Sequence, residues 1–148
     1  MESVRHRFRD LTTAVDDARS AIDASMSTFS GHGLVADSVE IAKIVAHEWI
    51  ANLVRHASFS RRTPDIVLDV WTEGAEIICV IEDNSDGFDL DSELVRSRKA
   101  LGRAPERGMG LIMVAEFTKE LRYEQLARAH NRVRWSISAD DNPYLDLV

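Results

Sequence analysis

Between Asp37 and Ala57 the chain carries neither glycine nor proline, and Ala42, Val45, Ala46, Trp49, Ile50, Leu53, Val54 and Ala57 recur at helical spacing. That pattern is a long helix with a broad apolar face. Asp37, followed three residues later by Glu40, has the form of a capping box, in which the two side chains satisfy backbone N–H groups at the helix start. The polar side carries a second signal. Glu48, Asn52 and His56 follow one another at i, i+4 and i+8, which stacks them in a single row. A carboxylate, an amide oxygen and an imidazole in one row can hold a divalent cation or position a nucleophile. The same residues also sit on amphipathic helices that have no chemistry to perform, so the row needs support from elsewhere in the chain.

The flanking segments set the fold class. Residues 3–9 alternate weakly, as an edge strand does, and Leu11, Val15, Ala18, Ile22 and Met26 then step at helical spacing to about residue 29. Ser30-Gly31-His32-Gly33 ends that helix. After the central helix, 58–65 is a polar loop stopped by Pro64. Ile66–Trp71 and Glu76–Ile81 read as strands joined through 72–75, and the second is apolar on both faces. Glu82 to Asp89 is a turn dense in acids, and 90–107 reads as a long polar connection with Pro105 inside it. A helix opens at Arg107-Gly108-Met109-Gly110, with Leu111, Met113, Val114, Phe117 and Leu121 as its buried face. Leu121–Ala127 and Arg132–Ser138 make a closing hairpin around 128–131, and 139–148 is a tail. Strands outside a strict βαβ alternation predict an α+β two-layer sandwich, with helices on one face of a mixed, mostly antiparallel sheet. Gly108-Met109-Gly110 lacks the third glycine and the preceding strand of a dinucleotide fingerprint.

With 148 residues the chain suffices for a single domain, taken as 1–148, and its 45% hydrophobic and 29% charged residues are those of an ordinary globular protein. The net charge of −7 argues against direct nucleic-acid binding. No apolar run is long enough to span a bilayer, and the N-terminus has no signal region, so a cytoplasmic protein without membrane contact is expected. The lone Cys79 lies in the apolar run Ile77–Ile81 and reads as a small core residue.

Three local signals line up. Beside the row on the long helix stands Asp83, just past a buried strand in its acidic turn. Gly108-Met109-Gly110 sits at a helix N-terminus, where free N–H groups and the helix dipole favour an anion such as phosphate. Between them, Arg96 to Arg107 holds five positive residues against one negative. A mobile basic segment leading into an anion-binding turn suits a lid over a triphosphate, although a solvated loop has the same composition.

Glu48-Trp-Ile-Ala-Asn52-Leu-Val-Arg-His56-Ala57 resembles the N-box of the GHKL (histidine-kinase-type) ATP-binding fold. Asp83 through Gly87 is similar to its first glycine box, and Arg107 through Ile112 to its second. Spacing and size look most like the stand-alone anti-sigma-factor serine/threonine kinases, over roughly residues 3–138. The resemblance implies ATP and Mg2+ as cofactors. Asn52 would help hold Mg2+, and Glu48 would be the general base for a serine hydroxyl. Asp83 would accept a hydrogen bond from the adenine amino group. Gly108, Met109 and Gly110 would bring backbone amides to the phosphates, with Arg103 or Arg107 reaching the terminal one. Ser85 stands where the first box usually has glycine, and Gly87 restores some of that freedom. Asn131, with His130, stands where a Gly-Thr pair usually supports the adenine site. The implied partners are a sigma factor and a STAS-domain anti-anti-sigma protein, and the implied assembly is a homodimer with strand 3–9 and the helix at 11–29 as candidate surfaces. Ser85 and His130-Asn131 also motivate an alternative, a non-catalytic regulatory binding module of the same fold with a degenerate nucleotide pocket. A catalytic domain serving a histidine phosphotransfer partner is disfavoured, since no phosphoacceptor helix pair precedes the domain in this sequence.

Overall fold

The apolar runs around Leu68 and Cys79 build the centre of a sheet. In the computed structural model, which describes residues 3–28, 36–74, 76–101 and 109–138 (backbone alone at 26–28, 36, 37 and 101), they form β2 (Ile66–Glu73) and β3 (Glu76–Asp83). The hairpin between them turns tightly at Gly74, whose φ of +55° is costly for residues with a Cβ. β1 (Val4–Phe8) pairs with β2, β5 (His130–Ser138) with β3, and β4 (Lys119–Ala127) with β5. The strand order is β1-β2-β3-β5-β4, and every one of these pairings is antiparallel.

Period-two alternation decides which face is covered. Ile66, Leu68 and Val70 of β2, Ile77, Cys79 and Ile81 of β3, and Val133, Trp135 and Ile137 of β5 point the same way and are buried. The register sets Leu68 opposite Ile81 and Cys79 opposite Trp135, so the rows meet as one apolar floor. Helices α1 (Ala14–Thr28), α2 (Ala36–His56) and α4 (Met109–Phe117) lie on that floor through Ala18, Ile22, Val45, Trp49, Leu53 and Val114. Burying one such large side chain contributes roughly 1.5–3 kcal/mol. An exposed ion pair such as Arg5–Asp69 on the outer face contributes little, because water screens it. The inner face therefore carries most of the burial, and the outer face adds Ile78, which is also buried.

The expected two-layer α+β sandwich is observed, with three corrections: every described pairing is antiparallel where the sequence predicts a mixed sheet, Leu121, expected on the buried face of α4, lies in β4 past the end of that helix, and a further helix is present. The stretch read as a polar connection begins with a helix, α3 (Leu90–Leu101). Its apolar stripe is narrow, with Leu94 buried and Leu90 partly so, which is why hydrophobic periodicity does not reveal it. Its start is set by Asp89, whose carboxylate accepts from the Ser92 N–H at 3.1 Å and is held below the usual carboxylate range by that bond. A Glu93–Arg96 ion pair supports the first turns. Smaller shifts matter for the site. β3 runs on to Asp83, so this residue ends the strand instead of following it, and β5 starts at His130, which puts Asn131 directly across from Asp83. Helix α2 begins at Ala36. The Asp37 side chain of the capping box, the helix stop at 30–33, Pro105 and the tail at 139–148 lie outside the described residues, and Glu40 instead pairs with Lys43 at 3.2 Å. No helix among the described residues is long and apolar enough to cross a membrane.

Candidate functional site

Trp49 and Leu53 bury one flank of α2 completely enough that Glu48 and Asn52, their neighbours on the helix, emerge half-buried at the edge of the core. His56, one turn further, is exposed. All three line one cavity of about 720 Å3, and its other walls are Gly87-Phe88, the inner side of α3 and the start of α4. The row on the helix and the second glycine box thus meet across a single space. Their closest approach is between Glu48 and Gly110: a Cβ placed on residue 110 would lie 2.5 Å from the Glu48 Oε2. Glycine at 110 is what lets the carboxylate stand over the first turn of α4, where the helix dipole favours negative charge. Met109 opens α4 and is exposed. Arg103, Arg107 and Gly108 lie outside the described residues. Of the basic segment, Arg96 lies on the cavity wall while Arg98 faces Glu116 of α4 at 3.6 Å.

Asp83 occupies a separate, drier place. It is only 4% exposed and is not part of the cavity wall. Its Oδ1 accepts from the Ser85 N–H at 2.9 Å and from the Asn131 Nδ2 at 3.0 Å. The same Asn131 amide donates to the Ser85 carbonyl at 2.9 Å. Asn131 therefore supports the aspartate directly, while His130 turns outward toward Glu82 at 3.4 Å. Ser85 causes no backbone strain, since the left-handed conformation falls at Gly87, with φ +80°. A Cβ at 87 would run into Gln125 and come within 2.7 Å of the Asn131 Oδ1. The Ser85 hydroxyl accepts from the Gly87 N–H at 3.2 Å, completing a turn in which serine is a working part.

Two further features carry no motif in the sequence. The first is a clamp on the Asp83 turn. Arg62 donates from Nε to the Asn84 carbonyl at 2.9 Å and pairs through Nη2 with Asp86 at 2.5 Å, and the Ser60 hydroxyl donates to the other Asp86 oxygen. Asn84 returns the contact, donating to the Thr63 carbonyl and accepting from the Asp65 N–H, both at 2.8 Å. Ser60, then Arg62, hold the Asp86 carboxyl down to about 2. Ser60 and Arg61 adopt φ of 49° and 70°, a rare pair of left-handed non-glycine residues that these contacts hold in place. The only hint in the sequence is the Arg-Arg pair before Pro64. The second feature is an aromatic stack. Phe88 lies 4.8 Å from Tyr123, Trp49 lies 5.7 Å from each, and Trp135 is 6.3 Å beyond Trp49. Phe88 and Tyr123 come from a turn and an edge strand, so no local periodicity joins them.

As for a cation, no group of three or more His, Cys, Asp or Glu side chains gathers among the described residues. Asn52 offers a hard amide oxygen with the Glu48 carboxylate one turn away, which suits an ion that takes most of its ligands from phosphate and water.

Comparison with known proteins adds a lineage to this geometry. Residues 8–137 match the family model described as Histidine kinase-like ATPase domain. No curated protein matches the sequence. Among solved structures, the chain is similar to the histidine kinase domain of the blue-light activated histidine kinase from Erythrobacter litoralis EL346. The TM-score is 0.53 at 15% identity, over 91% of this chain and 64% of that one. At that identity the likeness concerns the fold alone, and the chain spans just under two thirds of the structure it resembles.

Proposed function

The chain belongs to the histidine kinase-like ATPase domain family, and on that premise we propose that it is an ATP- and Mg2+-dependent serine/threonine protein kinase that acts as an anti-sigma regulatory factor. One observation carries the chemical part: Glu48 and Asn52 stand a helical turn apart on one cavity wall, with Glu48 reaching over Gly110 at the start of α4. The Oγ of a serine or threonine on the partner attacks the terminal phosphorus, the bond from that phosphorus to the β–γ bridging oxygen breaks, and ADP leaves. Glu48 takes the hydroxyl proton. The amide of Asn52 would help hold Mg2+, which would supply charge to offset that of the phosphates. Backbone N–H groups at Gly108, Met109 and Gly110, with Arg103 or Arg107, would donate to the phosphate oxygens. Asp83 fixes the base through its amino group. Phosphoryl transfer needs alignment and charge neutralisation more than covalent help, and these groups supply both.

The regulatory part rests on the resemblance of the three boxes to the small anti-sigma kinases. The proposed partners are a STAS-domain anti-anti-sigma protein as phosphoacceptor and a sigma factor as the sequestered target, with the kinase acting in the cytoplasm as a homodimer. The burial of Asp83 favours a second reading, a regulatory module of the same fold that does not transfer phosphate. Calorimetric titration with ATP, with and without Mg2+, on the wild type, Asn52→Ala and Asp83→Asn tests the site. Binding that depends on Asp83, with a Mg2+ dependence lost in Asn52→Ala, supports the kinase, and absence of binding to any adenine nucleotide leaves only the second reading.

A further inference from the structure

The carboxylate proposed to read the base and the cavity proposed to hold the phosphates do not communicate in this structure. Asp83 is 4% exposed and lies off the cavity wall, whereas Phe88 lies on it. Behind the Phe88 ring, at 4.8 Å, stands Tyr123, which does not line the cavity. The Tyr123 hydroxyl is buried, and the contact it makes is a weak one with the Phe88 backbone. Moving Phe88 therefore frees this hydroxyl for another partner. Tyr123 also lies close enough to Asp83 to feel its charge, which adds to the effect of burial in raising the phenol to about 12. Trp49, from the same helix as Glu48, closes the other side of the stack at 5.7 Å from both rings.

We infer that Phe88 is the specificity gate of the nucleotide site: a planar base reaches Asp83 by displacing the Phe88 ring and taking its place against Tyr123 and Trp49. This rests on the nucleotide-binding reading above and adds to it the residue that controls access and favours an aromatic ligand over any other anion-bearing group. The slot left by the ring is bounded by aromatic faces, which stack on a base. The Tyr123 hydroxyl and the Asp83 carboxylate then face the base edge. The turn can release Phe88 without losing Asp83, because Asn131 and Ser85 hold the carboxylate independently of the ring.

The test titrates the wild type, Phe88→Ala and Phe88→Leu with ATP, adenosine and inorganic tripolyphosphate, following tryptophan emission, with thermal melting to verify folding. Loss of the Phe88–Tyr123 and Phe88–Trp49 pairs from the closed state predicts ATP and adenosine binding roughly five- to a hundredfold tighter to Phe88→Ala. Phe88→Leu should be intermediate, tripolyphosphate unchanged, and the gain abolished when Asp83→Asn is added. Should Phe88→Ala fail to fold, Phe88→Leu carries the same comparison. Equal ATP affinity in the wild type and the folded variants, or tripolyphosphate tightening as much as adenosine, overturns the gate and leaves the kinase reading standing. No ATP binding to the wild type or to either variant overturns both.

Discussion

Glu48 and Gly110 illustrate how a single missing methyl group can matter more to chemistry than to stability. In Gly110→Ala the new Cβ would meet only the end of the flexible Glu48 side chain, which can swing away. Alanine is also the better helix former by about 1 kcal/mol. We expect Gly110→Ala to melt at or slightly above the wild-type temperature while phosphoryl transfer falls, and a lower melting temperature with unchanged transfer would contradict it. Glu48→Gln removes the proton acceptor but keeps the shape, so ATP affinity should hold while transfer to the partner drops roughly 100-fold or more. Single-turnover kinetics separates the two effects. Asn131→Ala strips a donor from Asp83 and from the Ser85 carbonyl, both buried. Groups orphaned in this way cost about 1–3 kcal/mol, which urea denaturation would show as a lower midpoint at unchanged slope. The shared placement of Glu48 and Asn52 on one cavity wall is legible in the sequence because one helix spaces them. The role of Asn131 follows only once the β3–β5 register places it opposite Asp83.

At the scale of elements, the loop between α2 and β2 works as a clamp on the Asp83 turn. Asp86 has a folded pKa near 2 against an ordinary 3.8, owing first to Ser60 and then to Arg62. A lowered carboxyl pKa gives stability that is fully present above the unfolded value and is lost as pH falls through the folded one. Wild-type stability should therefore decline more steeply than that of Asp86→Asn between about pH 4 and pH 2, and acid melting curves that run parallel would remove the clamp from the account. This element and α3 are also where reading the sequence falls short. The contacts of the clamp join residues 19 to 26 positions apart, and α3 is set by its cap and ion pair more than by an apolar stripe. By contrast, α2 and the paired apolar strands announce themselves, because burying their periodic faces dominates the energetics.

For the molecule as a whole, a nucleotide that binds only the folded chain should raise its melting temperature with concentration. The gain approaches about 2.7 kcal/mol at a hundredfold excess over Kd. A thermal-shift series with MgATP should show this rise for the wild type and lose it in Asp83→Asn. The two-layer architecture could be read in advance because the three central strands turn one apolar face toward the helices. Its antiparallel register throughout depends on pairings that composition does not encode. The clamp has a geometric consequence at this scale. Helix α2 leads directly into the loop that grips the Asp83 turn, so the residues proposed to meet the metal and the attacking hydroxyl and the residue proposed to meet the base are tied by one short piece of chain. They are the two jaws of a caliper with a fixed opening. Such a caliper would reject a ligand by its length before any charge is compared.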